Sequence, residues 1–329
     1  MSAPAIPATR PAVARARWAR RNAWTLGVYA LLLLLLLAEK IVHPGLNAFD
    51  MQSLVDGALP LALAALAQAV VVIAGGIDLA VGSVMSLVNV VSALSMAHAD
   101  LGGALLIAVL LIVGAALAGG LTGAVITATG VPDIIATLGT GFLWAGLALQ
   151  IMPIPGGGAP VDFANLLTGE LGSNIPAGLI VLVVVLAVIW LPLRRTRLGL
   201  ALYAVGSNRS AAYLSGVGVA RVRIAAYALG GVFAALGGLA LTASTSNGNA
   251  TSGVSYTLNS VAAIVVGGVS LTGGRGSMLG AVAAAFILTL ANTILTFLGM
   301  DPNYSTVIQG ALVVVVVMVA GLLLVRRQL

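Results

Sequence analysis

The feature that most constrains this chain is a series of apolar runs, each long enough to cross a bilayer, with the charges held between them. A membrane helix needs about 20 mostly apolar residues. By that measure ten segments qualify, at 24–42, 57–74, 79–97, 103–129, 133–152, 176–193, 224–244, 258–271, 279–299 and 306–325, the eighth being short. Backbone amides in hydrocarbon must find partners within their own segment, which leaves helices as the economical solution. The runs therefore predict an all-α polytopic membrane protein of about ten transmembrane helices, with one membrane domain over 24–325. A basic segment, 1–23, precedes it and a short tail, 326–329, follows. Composition agrees, since 60% of the residues are hydrophobic and 7% charged, against about a quarter charged in soluble domains.

Charge sets the orientation. Arg10, Arg15, Arg17, Arg20 and Arg21 precede the first run. With that end in the cytoplasm, ten crossings put the 194–223 loop, Arg275 and Arg326–Arg327 on the same side. Fourteen of the fifteen basic residues are then cytoplasmic, Lys40 alone is outside, and both termini are inside. Basic loops do favour the cytoplasm. Arg20-Arg21 imitates a twin-arginine export signal, but the spans behind it mark an uncleaved first helix. The pI near 10.3 then reflects membrane edges, with anionic lipid rather than nucleic acid as the partner.

Several chemistries are excluded. The chain has no cysteine and two histidines, His43 and His98, both in predicted outer turns, so no metal site is expected. Its single lysine, Lys40, follows Leu36-Leu37-Ala38-Glu39 and cannot belong to a P-loop. Any ATP and magnesium must be held by a partner subunit. No Gly-x-Ser-x-Gly elbow opens an α/β unit, and no catalytic residue is assigned. None of the nine acids lies in the middle of a predicted span, which counts against ion-coupled transport.

The 194–223 loop concentrates six arginines and no acid. Within it, Asn208 is placed to cap a short helix from Arg209 that stops at Gly216. Ala211, Ala212, Tyr213 and Leu214 would form a small apolar knob. Such a knob suits either insertion into a partner's groove or a helix lying on lipid.

Two glycine-rich turns, Gly75–Gly82 and Thr272–Gly276, divide neighbouring spans. Gly75, Gly76, Gly82, Gly273 and Gly274 are read as turn formers. Gly75-Gly76-Ile77-Asp78-Leu79 with Gly82 echoes Gly267-Gly268-Val269-Ser270-Leu271 with Gly274, as a parallel repeat or chance would give. Asp78 is read as the N-cap of the third span, with solute contact as the alternative. Gln68, Asn89, Thr137, Trp144, Gln150 and Asn292 are neutral polar residues inside spans. Each either lines a solute path or ties helices together. Gln68, Asn89 and Asn292 are the stronger candidates, because an amide within an apolar helix needs a reason.

Four segments now fall into one pattern: Gly75 through Ser83, Pro132 through Thr140 with its Ala136-Thr137-Leu138-Gly139-Thr140 ending, Ala204 through Gly216, and Val261 through Gly280. In this order they resemble the membrane permeases of bacterial ABC importers for monosaccharides, the ribose/xylose/galactose type. The likeness runs from about residue 50 to the last span. It implies a permease subunit in the bacterial inner membrane. Its partners would be ABC ATPase subunits, a periplasmic substrate-binding protein and a second copy or a related permease. It assigns Asn208, Arg209, Ser210, Ala211, Ala212, Tyr213, Leu214, Ser215 and Gly216 to ATPase docking, similar to a Glu-Ala-Ala-x-x-x-Gly loop. Ser210 stands where an acid is common, and Asn259 where Asp often occurs. The loops 152–175 and 245–257 would face the binding protein or simply be solvated. Permeases for branched-chain amino acids, nucleosides or a sugar-like signalling molecule share most of these motifs. An autonomous carrier or channel is the rival from another class.

Overall fold

The computed structural model describes residues 23–172 and 175–300, with helical residues at 304, 307, 310, 311, 314 and 318. The basic segment before residue 23, most of the tenth predicted run and the tail 326–329 lie outside the described residues. The elements are α1 (Ala23–Val42), α2 (Ala48–Ile73), α3 (Val81–Met96), α4 (Leu101–Thr129), α5 (Asp133–Ile151) and α6 (Val161–Thr168). A two-residue hairpin, β1 (Glu170–Leu171) and β2 (Ile175–Pro176), follows. Then come α7 (Ala177–Arg195), α8 (Arg197–Ser207), α9 (Arg209–Leu214), α10 (Val219–Thr245), α11 (Val254–Val266) and α12 (Met278–Phe297). Seven of these are long and apolar enough to cross a membrane, and α3 and α11 are shorter apolar helices. Among the described residues, each of the first nine predicted runs coincides with a helix. The protein is an all-α polytopic membrane protein.

The bundle is built around α2. From Ala58 to Ile73 every residue of this helix is buried, as expected of a helix apolar on all sides. It is packed by α10, α12, α11 and α7, while α10 also lies along α4 and α3. Around the outside, α1 shows Leu33, Leu34 and Leu37, and α4 shows Leu106, Leu110, Leu117 and Leu121. These rows read as generic lipid-facing surface.

Caps, rather than hydropathy, set the helix ends. Asn47 forms a capping box with Asp50: its Oδ1 accepts from Phe49 N at 2.8 Å, and Asp50 Oδ2 accepts from Asn47 N at 2.9 Å. The helix thus starts nine residues before the predicted run at 57. That moves Asp56, which preceded the predicted run, into α2, while Glu39 is almost fully buried in the last turn of α1, near the end of its predicted run. At α4, Asp100 Oδ1 takes the Gly103 N–H at 2.9 Å, and left-handed Gly130 ends the helix. Further on, α7 contains a π-helical turn at Leu186–Trp190. Pro192 follows two residues later; it has no N–H to donate and so disturbs the regular ladder just there.

Candidate functional site

The 194–223 region is mostly helical. Thr196 Oγ1 accepts from Gly199 N at 3.2 Å and starts α8, and Asn208 Oδ1 accepts from Ala211 N at 2.9 Å and starts α9. At the other end Gly216 is left-handed, and Val217 N returns to Ala212 O at 3.0 Å. The short helix predicted from Asn208 to Gly216 is therefore present. One member of its predicted knob is not: Ala212 is 6% exposed and belongs to the core, while Tyr213 is 71% and Leu214 84% exposed. A six-residue helix has two sides, and the side carrying Ala212 rests on the bundle. Arg209, Ser210, Tyr213, Leu214 and Val219 line a shallow groove of about 410 Å³ on the free side.

Behind α9 three backbone segments meet. Arg209 Nη2 donates to Gly75 O, and Ser207 Oγ to Gly274 O at 3.4 Å. Gly274 N donates to Ile73 O at 2.9 Å, and Tyr203 OH to Gly276 O at 3.2 Å. Gly206 sits at the centre, where a Cβ would collide with Ile73 O and lie 2.5 Å from Gly274 N. A Cβ on Gly273 would be 2.8 Å from Gly75 Cα. The end of α2, the end of α8 and the α11–α12 turn thus share one seam of backbone against backbone. The two glycine turns also close alike: Gly75 N reaches Val72 O and Gly76 N reaches Val71 O, matched by Gly268 N to Val265 O and Val269 N to Ile264 O. The geometric match aligns Gly75 with Gly268, one residue away from the register of the sequence echo. Gly82 is not a turn residue; it lies in α3, against Gly253 O.

Next to this seam is a polar cluster. Arg223, in the first turns of α10, forms a largely buried ion pair with Asp133 at the start of α5. Tyr227 OH donates to Asp133 Oδ2 at 3.0 Å and lies 3.2 Å from Ile77 O. Thr137 is buried and donates to Asp133 O at 2.8 Å. Asp78 does not cap α3, whose N-cap is Ala80 with no side-chain bond. Its Oδ1 accepts from Ala80 N at 2.9 Å instead. Burial pushes the Asp78 carboxyl up to about 6, against the opposing pull of that N–H. Gly76 packs tightly here, a Cβ on it falling 2.8 Å from Tyr227 OH.

The predicted path residues are scattered. Asn89 is fully buried: its Nδ2 donates to Thr242 Oγ1 (2.9 Å) and Asn247 O (3.0 Å), and its Oδ1 accepts from Asn249 N (2.8 Å). Ser92 Oγ completes this cluster, 2.7 Å from Thr242 Oγ1. The amide ties α3 to the end of α10 and the loop beyond. Gln68 is fully buried in α2, with neither polar side-chain atom partnered among the described residues. Trp144 is half-buried on α5. Asn292 lines a cavity, together with Ser255, Tyr256, Asn259 and Thr289. These four were not singled out as path residues, because a hydroxyl or amide near a helix end carries no distinguishing pattern in sequence. Among the described residues no cluster of His, Cys, Asp and Glu is arranged to hold a metal.

At the opposite end of the bundle the loops 152–175 and 245–257 touch. Gly156 and Gly248 exchange backbone hydrogen bonds at 3.0 and 2.8 Å, and Gly158 N donates to Ala93 O at 2.9 Å. Gln52 Nε2 donates to Thr168 O at 2.6 Å and holds α6 against α2.

With this geometry in hand, similarity to known proteins is extensive. The ribose import permease protein RbsC of Haemophilus influenzae is 34% identical over 78% of this chain and 80% of its own length. RbsC of Bacillus subtilis is 33% identical over 89% and 91%. The autoinducer 2 import system permease protein LsrD of Photorhabdus temperata is 31% identical over 94% and 95%. No solved structure matches significantly. The family profile described as branched-chain amino acid transport system / permease component matches residues 52–317. Since that match covers most of the chain, the protein belongs to this family of membrane permeases.

Proposed function

We propose that this chain is the membrane subunit of an ATP-driven importer for a monosaccharide or a similar neutral polyhydroxy solute. Two copies, or one copy and a related permease, would form the translocation unit. Two ATPase subunits would carry ATP and magnesium, and a periplasmic binding protein would deliver the solute. The observation that carries this reading is α9. A short, doubly capped helix presents Tyr213 and Leu214 on the cytoplasmic side and is bonded directly to the end of the central helix through Arg209 and Gly75. An apolar knob fixed to the core suits a partner's groove better than a loosely held helix on lipid does. Energy supplied at α9 would be transmitted to α2 and to the α11–α12 turn through the glycine seam. The permease itself makes and breaks no bond.

The ribose permeases among the relatives support a sugar, and the autoinducer 2 permease supports a sugar-like signalling molecule as the second reading. The test is uptake in proteoliposomes containing the chain, its ATPase and its binding protein. Sugar accumulation should require ATP and the binding protein. Accumulation by the chain alone, driven by an ion gradient, refutes the reading.

A further inference from the structure

We propose that the pocket between α2, α11 and α12 is a transit site for an uncharged polyol, an inference that rests on the importer reading above. The pocket holds about 150 Å³ and is lined by seven residues. Five are neutral and polar: Ser255, Tyr256 and Asn259 from α11, and Thr289 and Asn292 from α12. None of the seven carries a charge. Hydroxyls and carboxamides both donate and accept, so this lining matches a solute whose surface is hydroxyl groups. A zwitterionic amino acid would bring two charges to a site with no opposite charge to receive either, a costly arrangement.

Depth and exposure support a role in transport. Gly57, which forms part of the α2 wall, is nine residues into that helix, or roughly 14 Å from its outer end at 1.5 Å per residue. The pocket is therefore below the outer surface and above the middle of the bundle. Ser255 is exposed, and Tyr256, Asn259, Thr289 and Asn292 are partly exposed. Amides and hydroxyls at this depth are poorly suited to face lipid. An opening onto a water-filled path between permease copies suits the exposed Ser255 and its partly exposed neighbours better. The absence of charge also keeps binding weak, as release to the cytoplasm requires. Gly57 sets the width, since a Cβ there would already touch Thr289 Cγ2 at 3.5 Å.

The chain has no cysteine of its own, so single-cysteine variants report cleanly. Asn259→Cys and Asn292→Cys should react with a membrane-impermeant thiosulfonate in vesicles that also hold the ATPase and binding protein. Leu110→Cys, on the outer face of α4, should not. Ribose, xylose or galactose should slow the reaction at 259 and 292, and leucine should not. Failure of both site cysteines to react, or reaction slowed by leucine or by none of the three sugars, overturns the site.

A second arm measures transport. Replacing Asn259 and Asn292 together by Leu should cut sugar uptake on the order of tenfold, as expected for two lost neutral hydrogen bonds. Gly57→Leu should cut it by filling the pocket, and ATPase stimulation by the loaded binding protein should persist in both variants. Full uptake in both variants overturns the site while leaving the importer reading intact. Absence of ATP-dependent sugar uptake in the unaltered chain defeats the importer reading itself.

Discussion

At the residue scale, the positions that matter most are held by what they lack or by what they neutralise. Gly206→Ala should lower stability by about 1–3 kcal/mol, because the extra methyl meets backbone that cannot rotate away. Gly114→Ala, on α4 where nothing lies within 4 Å of the added carbon, should be neutral or gain about 1 kcal/mol from helix propensity. Thermal unfolding of the two purified variants in detergent makes the comparison.

The Asp133–Arg223 pair gives a second test. Asp133→Ala should cost about 3 kcal/mol by leaving a buried guanidinium uncompensated. Adding Arg223→Met to it should recover most of the loss in the same unfolding assay. Asp78 gives a third, with a definite sign. Its folded pKa of about 6 lies above its ordinary 3.8, so the folded state holds the proton more tightly. Stability should fall as pH rises from about 4 to about 6 and level off above. Asp78→Asn should flatten that fall in unfolding midpoints measured across the range.

The Asn208 cap was readable in sequence because a cap is decided within four residues. The Asp133–Arg223 pair was not: its members are 90 positions apart, and in a charge count each is only a topology marker. Ala212 was misplaced for a related reason, since a helix of six residues is too short for its sequence to reveal which side is buried.

At the scale of elements, α9 has a buried side and a free side, and substitutions should sort by side. Leu214→Glu or Tyr213→Glu should abolish co-purification of the ATPase while leaving the unfolding midpoint unchanged. Ala212→Arg should lower that midpoint, because it forces a charge into the packed side. Equal effects from all three substitutions in both assays would contradict the assignment of faces. The transmembrane helices were legible because about 20 apolar residues have few other solutions. Their ends were less so. Hydropathy began α2 at 57, whereas the Asn47 capping box begins it at Ala48. The helix α8 was hidden inside a stretch read as a basic loop, since arginines mark the side of the membrane without describing the backbone.

At the scale of the whole molecule, α2 is the central element: its first half borders the polar pocket and the turn after its last residue is bonded to α9. Moving Asp56 into α2 places an acid within a span, so ion coupling needs a direct test. A protonophore should leave the initial rate of ATP-driven uptake unchanged in vesicles, and Asp56→Asn should retain most of it. Loss of uptake in both cases would favour a proton-coupled carrier. The glycine seam has one further consequence. Side chains absorb a displacement by changing rotamer, but backbone packed on backbone has none to change. The joint between the end of α8 and the end of α2, where Gly206 meets Ile73 O, therefore has no slack, and behaves as a gear tooth rather than a spring. If a partner ATPase docks on α9 as proposed, a weakened grip should alter how often the stroke occurs and leave its length unchanged.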